Sequence, residues 1–164
     1  MLEVRADGVS DIPALIRIFW RGVHEGAAPK YSETQRRVWL PEPPTPEAYG
    51  ARLAGQIVFV AARDAEPVGF MTLRPADGLL DFAYVLPEER GQGTADILLA
   101  MVENHALALG PPRLTTRASD MARPFFVRNG WRVTGDATVT RAGVAIPSTH
   151  MARDLSDRPM AAAC

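Results

Sequence analysis

The stretch Arg90-Gly91-Gln92-Gly93-Thr94-Ala95 joins an apolar run that stops at Pro87 to a helical pattern that ends at Gly110. The first four N–H groups of a helix lack partners within it, and the helix dipole places about half a positive charge there. Glycines at that point remove the side chains that would keep a ligand away, so an anion, usually phosphate, can approach the bare amides. Arg90 adds a full charge and a planar fork suited to phosphate oxygens. Residues of these types at this spacing can hold a phosphorylated cofactor. The plainer reading of the same glycines is a tight strand-to-helix turn.

Two common phosphate loops are excluded. A P-loop requires a lysine that this turn lacks, and the dinucleotide pattern G-x-G-x-x-G meets Asp96 where its third glycine should stand. An aspartate there would repel a pyrophosphate. What remains, Arg90 to Ala95, resembles the [QR]-x-x-G-x-[GA] motif of the GNAT superfamily of N-acetyltransferases, preceded by a strand ending in "YVLPEE". Further on, "ASDMARPFFVRNGW" is similar to that family's second signature, N-x-x-A-x-x-F-Y-x-x-x-G-F, with Ala122, Phe125 and Gly130 in place. The likeness spans most of the chain and is strongest from about residue 57 to 133.

The resemblance implies acetyl-CoA as donor. Arg90 with the amides of Gly91, Gln92, Gly93, Thr94 and Ala95 would hold its pyrophosphate, and the main chain of Tyr84 and Val85, splayed from the next strand, would pair with the pantetheine arm. Ser119, where the family often has asparagine, can still donate a hydrogen bond to the cofactor. The signature's tyrosine, often the proton donor to the departing thiolate, is Phe126, which has no proton to give.

Acetyl transfer to nitrogen needs a neutral amine, a stabilised oxyanion and a proton for the thiolate. An alkyl ammonium has a pKa of about 10.4, so a base or a water chain must take its proton. The backbone N–H of Val85 suits the oxyanion. Asp81, the only ionisable residue in "LLDFAYV", shares strand parity with Ala83 and Val85 and can face the cleft as base. It can equally be a carboxylate paired with an arginine. A phenolic acid must come from Tyr31, Tyr49 or Tyr84; Tyr84 is nearest the motif, as a donor or as a packed aromatic, and water is the alternative. The resemblance makes the loop between the first two helices a wall of the acceptor pocket. Trp20, His24, Tyr31 and Trp39 would line that wall or else pack between helices.

The elements that must position these groups read as a mixed α/β order. "LEVRAD" suits a first strand, and Ser10 caps a helix with Ile12, Leu15, Ile16, Phe19 and Val23 at helical spacing. Ser32 caps a second helix, "PEPPTPE" interrupts, and a third helix carries Tyr49 and Leu53. "IVFVAARDAEPVGFMTL" is a hairpin about Arg63 to Glu66, and "GLLDFAYVL" the next strand. The helix after the motif places Leu98, Met101, Val102, His105 and Leu109 on one stripe, with His105 packed. "RLTTRAS" is a strand, "DMARPFFVRNG" a short helix, and the Val/Thr-rich tail a hairpin turning at Arg141-Ala142-Gly143 with His150 packed on its last strand. Together with the resemblance this gives a GNAT fold over residues 1–155: a twisted, mostly antiparallel mixed sheet flanked by helices, followed by a disordered tail at 156–164.

The totals restrict the partners. A chain of 164 residues suits one domain, and a net charge of −1 gives no electrostatic case for nucleic acid. Three scattered histidines and the single terminal Cys164 provide no metal-ligand spacing, no disulfide and no well-placed nucleophile for a covalent intermediate. No apolar run approaches the roughly 18 residues of a membrane span, and no leader is evident, so a cytoplasmic protein is the expectation. The expected activity is direct acetyl transfer from acetyl-CoA to a primary amine of a small molecule. The alternatives are a protein amino terminus or lysine as acceptor, or a non-catalytic acyl-CoA-binding domain. The resemblance also allows a homodimer.

Overall fold

The computed structural model describes residues 1–6 and 11–157. Ser10, the expected helix cap, lies outside them, as do 158–164 with Cys164. In chain order the elements begin with β1 (Leu2–Arg5), α1 (Ile12–Arg21) and a π-helical turn (Gly22–Gly26). Next come α2 (Glu33–Trp39), α3 (Pro46–Leu53), β2 (Ile57–Arg63), β3 (Glu66–Arg74) and β4 (Leu79–Val85). A 3-10 turn (Pro87–Glu89) leads to α4 (Thr94–Leu109), β5 (Arg113–Ser119), α5 (Arg123–Arg128) and β6 (Arg132–Asp136). The chain closes with β7 (Val139–Arg141), β8 (Val144–Ile146), β9 (Ser148–Asp154) and a 3-10 turn (Leu155–Asp157). No helix among the described residues is long and apolar enough to cross a membrane.

Seven strands form one sheet in the order β1-β2-β3-β4-β5-β9-β6, antiparallel throughout except for the β4–β5 pair. Helices α1 and α3 cover one face and α4 the other, so β2 and β3 are buried almost end to end and read as continuous apolar runs. Asp64 and Ala65 turn the β2–β3 hairpin with φ of 51° and 71°, the left-handed pair that matches strand twist. Ser32 caps α2 in a full capping box with Gln35, and Thr45 caps α3. Phe59, Phe70, Leu80, Leu98 and Met151 lie at the centre of the core.

Three expectations are corrected. Helix α4 is rotated from its apolar stripe: it buries Leu98, Leu99, Val102, Glu103 and Ala106, and leaves Leu109 and His105 exposed. Glu103 can enter the core because the Trp131 indole donates to its carboxylate (3.1 Å) and Arg153 stands 3.6 Å away. His105 only touches Phe59 edge-on from the flank. His150 is exposed as well. The tail, finally, is a hairpin within a hairpin: β6 and β9 pair in the main sheet, while β7 and β8 form a separate ribbon between them. The ribbon's neck is tied by Ala137 N–H to the Ser148 carbonyl (2.9 Å) and by the Ser148 hydroxyl to the Ala137 carbonyl (2.8 Å).

Candidate active site

Between β4 and β5 the sheet opens. The two strands pair only at Leu79 with Thr115 and Leu80 with Thr116, and beyond Leu80 no pairing continues. Leu86 N–H donates to Val68 of β3, and alternation along a strand then turns both polar groups of Tyr84 towards β3 as well. The N–H and C=O of Ala83 and Val85 point the other way, into the gap. The unpaired main chain is therefore that of Ala83 and Val85. This replaces the expected pair Tyr84 and Val85, and Tyr84 contributes only its side chain.

At the mouth of the gap the helix α4 begins without a side-chain cap. Gly91 and Gly93 have φ of 76° and 82°, and a Cβ on either would meet nothing within 4 Å. The space in front of the helix is open and the backbone is bent in a way that favours glycine. The N–H groups of Gly91, Gly93, Thr94 and Ala95 donate to no backbone carbonyl among the described residues. Gln92 is the exception within the expected set: its N–H donates to Glu89 (3.3 Å) and its side-chain amide to Glu88 (2.8 Å), both folded back from the opening. The loop is fixed from behind by Glu89, 5% exposed, which accepts two hydrogen bonds from Arg63 and one from the Thr94 hydroxyl (2.7 Å). These bonds, that of Arg63 foremost, hold the Glu89 carboxyl below the usual carboxylate range. Arg90 donates to the Gly26 carbonyl at the end of the π-helical turn.

Two cavities meet in the gap. One, of about 630 Å³, runs along Val85, Arg90, Gly91, Gly93 and Thr94. The other, of about 660 Å³, lies on the side of α1, α3 and the β7–β8 ribbon. They share Trp39, Ala83, Tyr84, Ser119, Ala122 and Phe126. Tyr84 stands at their junction. Its ring packs so closely on Gly22 that a Cβ there would come within 2.5 Å of it. Burial pushes the Tyr84 phenol well above its ordinary pKa, with the charge of Arg117 opposing, so the group stays protonated at neutral pH. Its hydroxyl makes no hydrogen bond among the described residues. The Ser119 hydroxyl accepts from Ala122 N–H (3.1 Å). Phe126 is buried against Phe125 and Trp131 while one edge reaches both cavities.

The second cavity has an aromatic wall, with Phe19, Tyr49 and Phe82 in mutual contact. Tyr31 and Trp39 meet edge-on at 5.2 Å and close it from the α2 side. The Tyr31 hydroxyl donates to the Pro147 carbonyl and accepts from Asp120 N–H (2.7 Å), and Arg141 donates to the Trp39 carbonyl (3.1 Å). The ribbon is thus bound onto the loop between the first helices and encloses the pocket. The Tyr49 hydroxyl is buried without a partner among the described residues.

Trp20 and His24 do not reach this pocket. Their rings meet at 3.9 Å, tilted by 32°, on the outer face, where His24 bonds the Leu40 carbonyl (2.7 Å). The physical reason is helical phase: Phe19, Gly22, Val23 and Gly26 take the inward face, which leaves Trp20 and His24 outside. Asp81 is also re-aimed. Thr72 faces two residues of β4, Asp81 and Phe82, in a β-bulge, so the parity shared with Ala83 and Val85 is broken. Asp81 emerges beside Phe82 and is held by Arg52 (2.8 Å) and the Gln56 amide (2.8 Å), while Arg52 also lies over the Phe82 ring. It is a paired carboxylate, and it also lines the second cavity.

Sequence reasoning passed over Gly22, Gly26, Glu89 and Arg117. The spacing of Gly22 and Gly26, four residues apart on one helical face, was an available signal. So was the parity of Arg117 with Ser119 on β5. Among the described residues no three His, Cys, Asp or Glu side chains are grouped to hold a metal ion.

Residues 27–155 match the family described as acetyltransferase (GNAT) domain. The chain is 29% identical over 150 residues to the uncharacterized N-acetyltransferase YafP of Escherichia coli (strain K12), covering 92% of this chain and 94% of that protein. The crystal structure of a GCN5-related N-acetyltransferase (aminotransferase, class-II) from Rhodopseudomonas palustris is similar at 30% identity and a TM-score of 0.85, over 93% of this chain and 94% of that one. PaiA N-acetyltransferase from Thermoplasma acidophilum, solved in complex with coenzyme A, shares the fold at 19% identity and a TM-score of 0.75, over 94% and 99% of the two chains.

Proposed function

Since the chain belongs to the GNAT acetyltransferase family, we propose that it transfers an acetyl group from acetyl-CoA to the primary amine of a small molecule by direct attack. The observation that carries this reading is the junction at Tyr84, where a cavity floored by an uncapped helix and a cavity walled by aromatic rings open into each other. The coenzyme A held by PaiA supports the donor. Open amides at Gly91, Gly93, Thr94 and Ala95, with free space before the two glycines, fit a diphosphate.

In this reading the donor supplies an acetyl thioester, and the chain's own groups do the rest. Arg90 and the loop amides bind the diphosphate, and the main chain of Ala83 and Val85 aligns the pantetheine arm as an added strand. The Val85 N–H, aimed into the gap, stabilises the negative charge that develops on the carbonyl oxygen. Tyr84, protonated and facing the junction, gives its proton to the sulfur in place of the tyrosine that Phe126 replaces. Asp81 anchors Arg52 and Gln56 in the pocket wall, so the amine loses its proton to water in the cleft. Enclosure by the β7–β8 ribbon favours a small acceptor over a protein segment.

A second reading, an acyl-CoA-binding domain without turnover, is favoured by Phe126 alone. A free-thiol assay for CoA release across a panel of amines tests the proposal. Thiol release that depends on one class of amine supports it. Protein that acetyl-CoA stabilises against heat but that releases no thiol with any amine belongs to the second reading.

A further inference from the structure

The aromatic cavity holds a charge that acetyl transfer by itself does not use. Its cations are Arg52, Arg117 and Arg141, and its only carboxylate is Asp81. Arg52 is taken by that carboxylate, and Arg141 donates to the Trp39 carbonyl. The Arg117 side chain, projecting from β5, has no hydrogen bond or ion pair among the described residues. It stands near enough to Tyr84 for its charge to act on the phenol at the cavity junction.

A guanidinium is a rigid fork of donors that matches a carboxylate with two parallel hydrogen bonds. Arg117 is exposed, so a carboxylate that enters the cavity can reach it. The excess of positive charge also disfavours an acceptor that brings a second cation. Resting on the acetyl-transfer reading above, we propose that Arg117 binds a carboxylate of the acceptor, so that the substrate is a small amine that is also an acid. The rings of Phe19, Tyr49 and Phe82 would then cover an apolar body between the two groups.

The test is a set of amine pairs that differ only in the carboxylate: L-phenylalanine against 2-phenylethylamine, and L-leucine against 3-methylbutylamine, with spermidine as the polycation. CoA release by the purified protein gives kcat/KM for each. The expected result is an advantage of at least tenfold for the acid member of a pair and the weakest turnover with spermidine. Arg117→Gln brings the ratio within each pair close to one, and Arg117→Lys, which keeps the charge without the fork, leaves an intermediate ratio. A CoA-induced thermal shift shows that each variant is folded. Equal or better turnover of the decarboxylated member by the wild type overturns the inference. So does an Arg117→Gln variant that keeps the wild-type ratio. If no member of any pair releases thiol although acetyl-CoA stabilises the protein, acetyl transfer itself fails, and that outcome is distinct from a loss of discrimination between members.

Discussion

Replacing Gly93 by alanine separates the conformational role of the glycine from its role before a ligand. Gly93 at the start of α4 and Gly110 at its end both have left-handed backbones, with φ of 82° and 99°, and both have open space where a Cβ would stand. An alanine in that conformation costs about 1–2 kcal/mol at either end. For a chain of 164 residues this lowers the melting temperature by roughly 2–8 °C. The ligand term is different. CoA at a hundredfold excess over its Kd stabilises the folded state by about 2.7 kcal/mol, which raises the wild-type midpoint by roughly 5–11 °C. Gly110→Ala keeps that rise, because its methyl group lies a helix length away from the gap. Gly93→Ala loses most of it, because the new methyl group occupies the space before the open amides. Scanning fluorimetry of the wild type and both variants, with and without CoA, reads the three shifts. Equal CoA shifts in the two variants would refute the placement of the diphosphate.

Three further outcomes follow from the site. Asp81→Asn slows turnover by a similar factor at pH 7 and pH 9, since Asp81 serves the wall through Arg52 and Gln56; a deficit that vanishes at high pH would restore it as the base. Tyr84→Phe lowers kcat by about 10²–10⁴ with little change in CoA affinity if the phenol gives the proton, and single-turnover kinetics beside a CoA titration separate the two. Glu89→Gln destabilises the protein at neutral pH by the order of 1.5–3 kcal/mol, the value of hydrogen bonds to a charged group. Because the folded-state pKa of Glu89 is depressed, mainly by Arg63, its contribution is present above the ordinary carboxylate pKa of about 4.3 and is lost as pH falls through the lower folded value. The gap in melting temperature between wild type and Glu89→Gln therefore closes only on the acid side, below about pH 4; a gap independent of pH would contradict the ion pair.

The order of strands and helices could be read from periodicity because most faces here are either buried or wet. The motif loop could be read because glycine and arginine at a helix start have few other uses. What escaped the sequence depended on phase. One extra residue at Asp81–Phe82 reverses which side a carboxylate takes, and no local composition marks it. The continuation of α1 as a π-helical turn decides that Gly22 meets Tyr84 while Trp20 and His24 face out. In α4 the apolar stripe holds at Leu98 and Val102 but not beyond, because a charged residue, Glu103, occupies a core position that Trp131 and Arg153 make tolerable. Arg117 was passed over because an arginine on a strand is ordinary until the strand beside it is known to part.

The ribbon of β7 and β8 leaves the sheet and returns to it at one tied neck, Ala137 and Ser148. Nothing between those two residues is needed for pairing of the main sheet, whereas Val139, Arg141, Ile146 and Pro147 line the second cavity. On the proposed reading, acceptor choice can therefore drift, or be re-engineered, by exchanging this ribbon as a cassette. The machinery for the donor, carried on other segments, would be inherited unchanged.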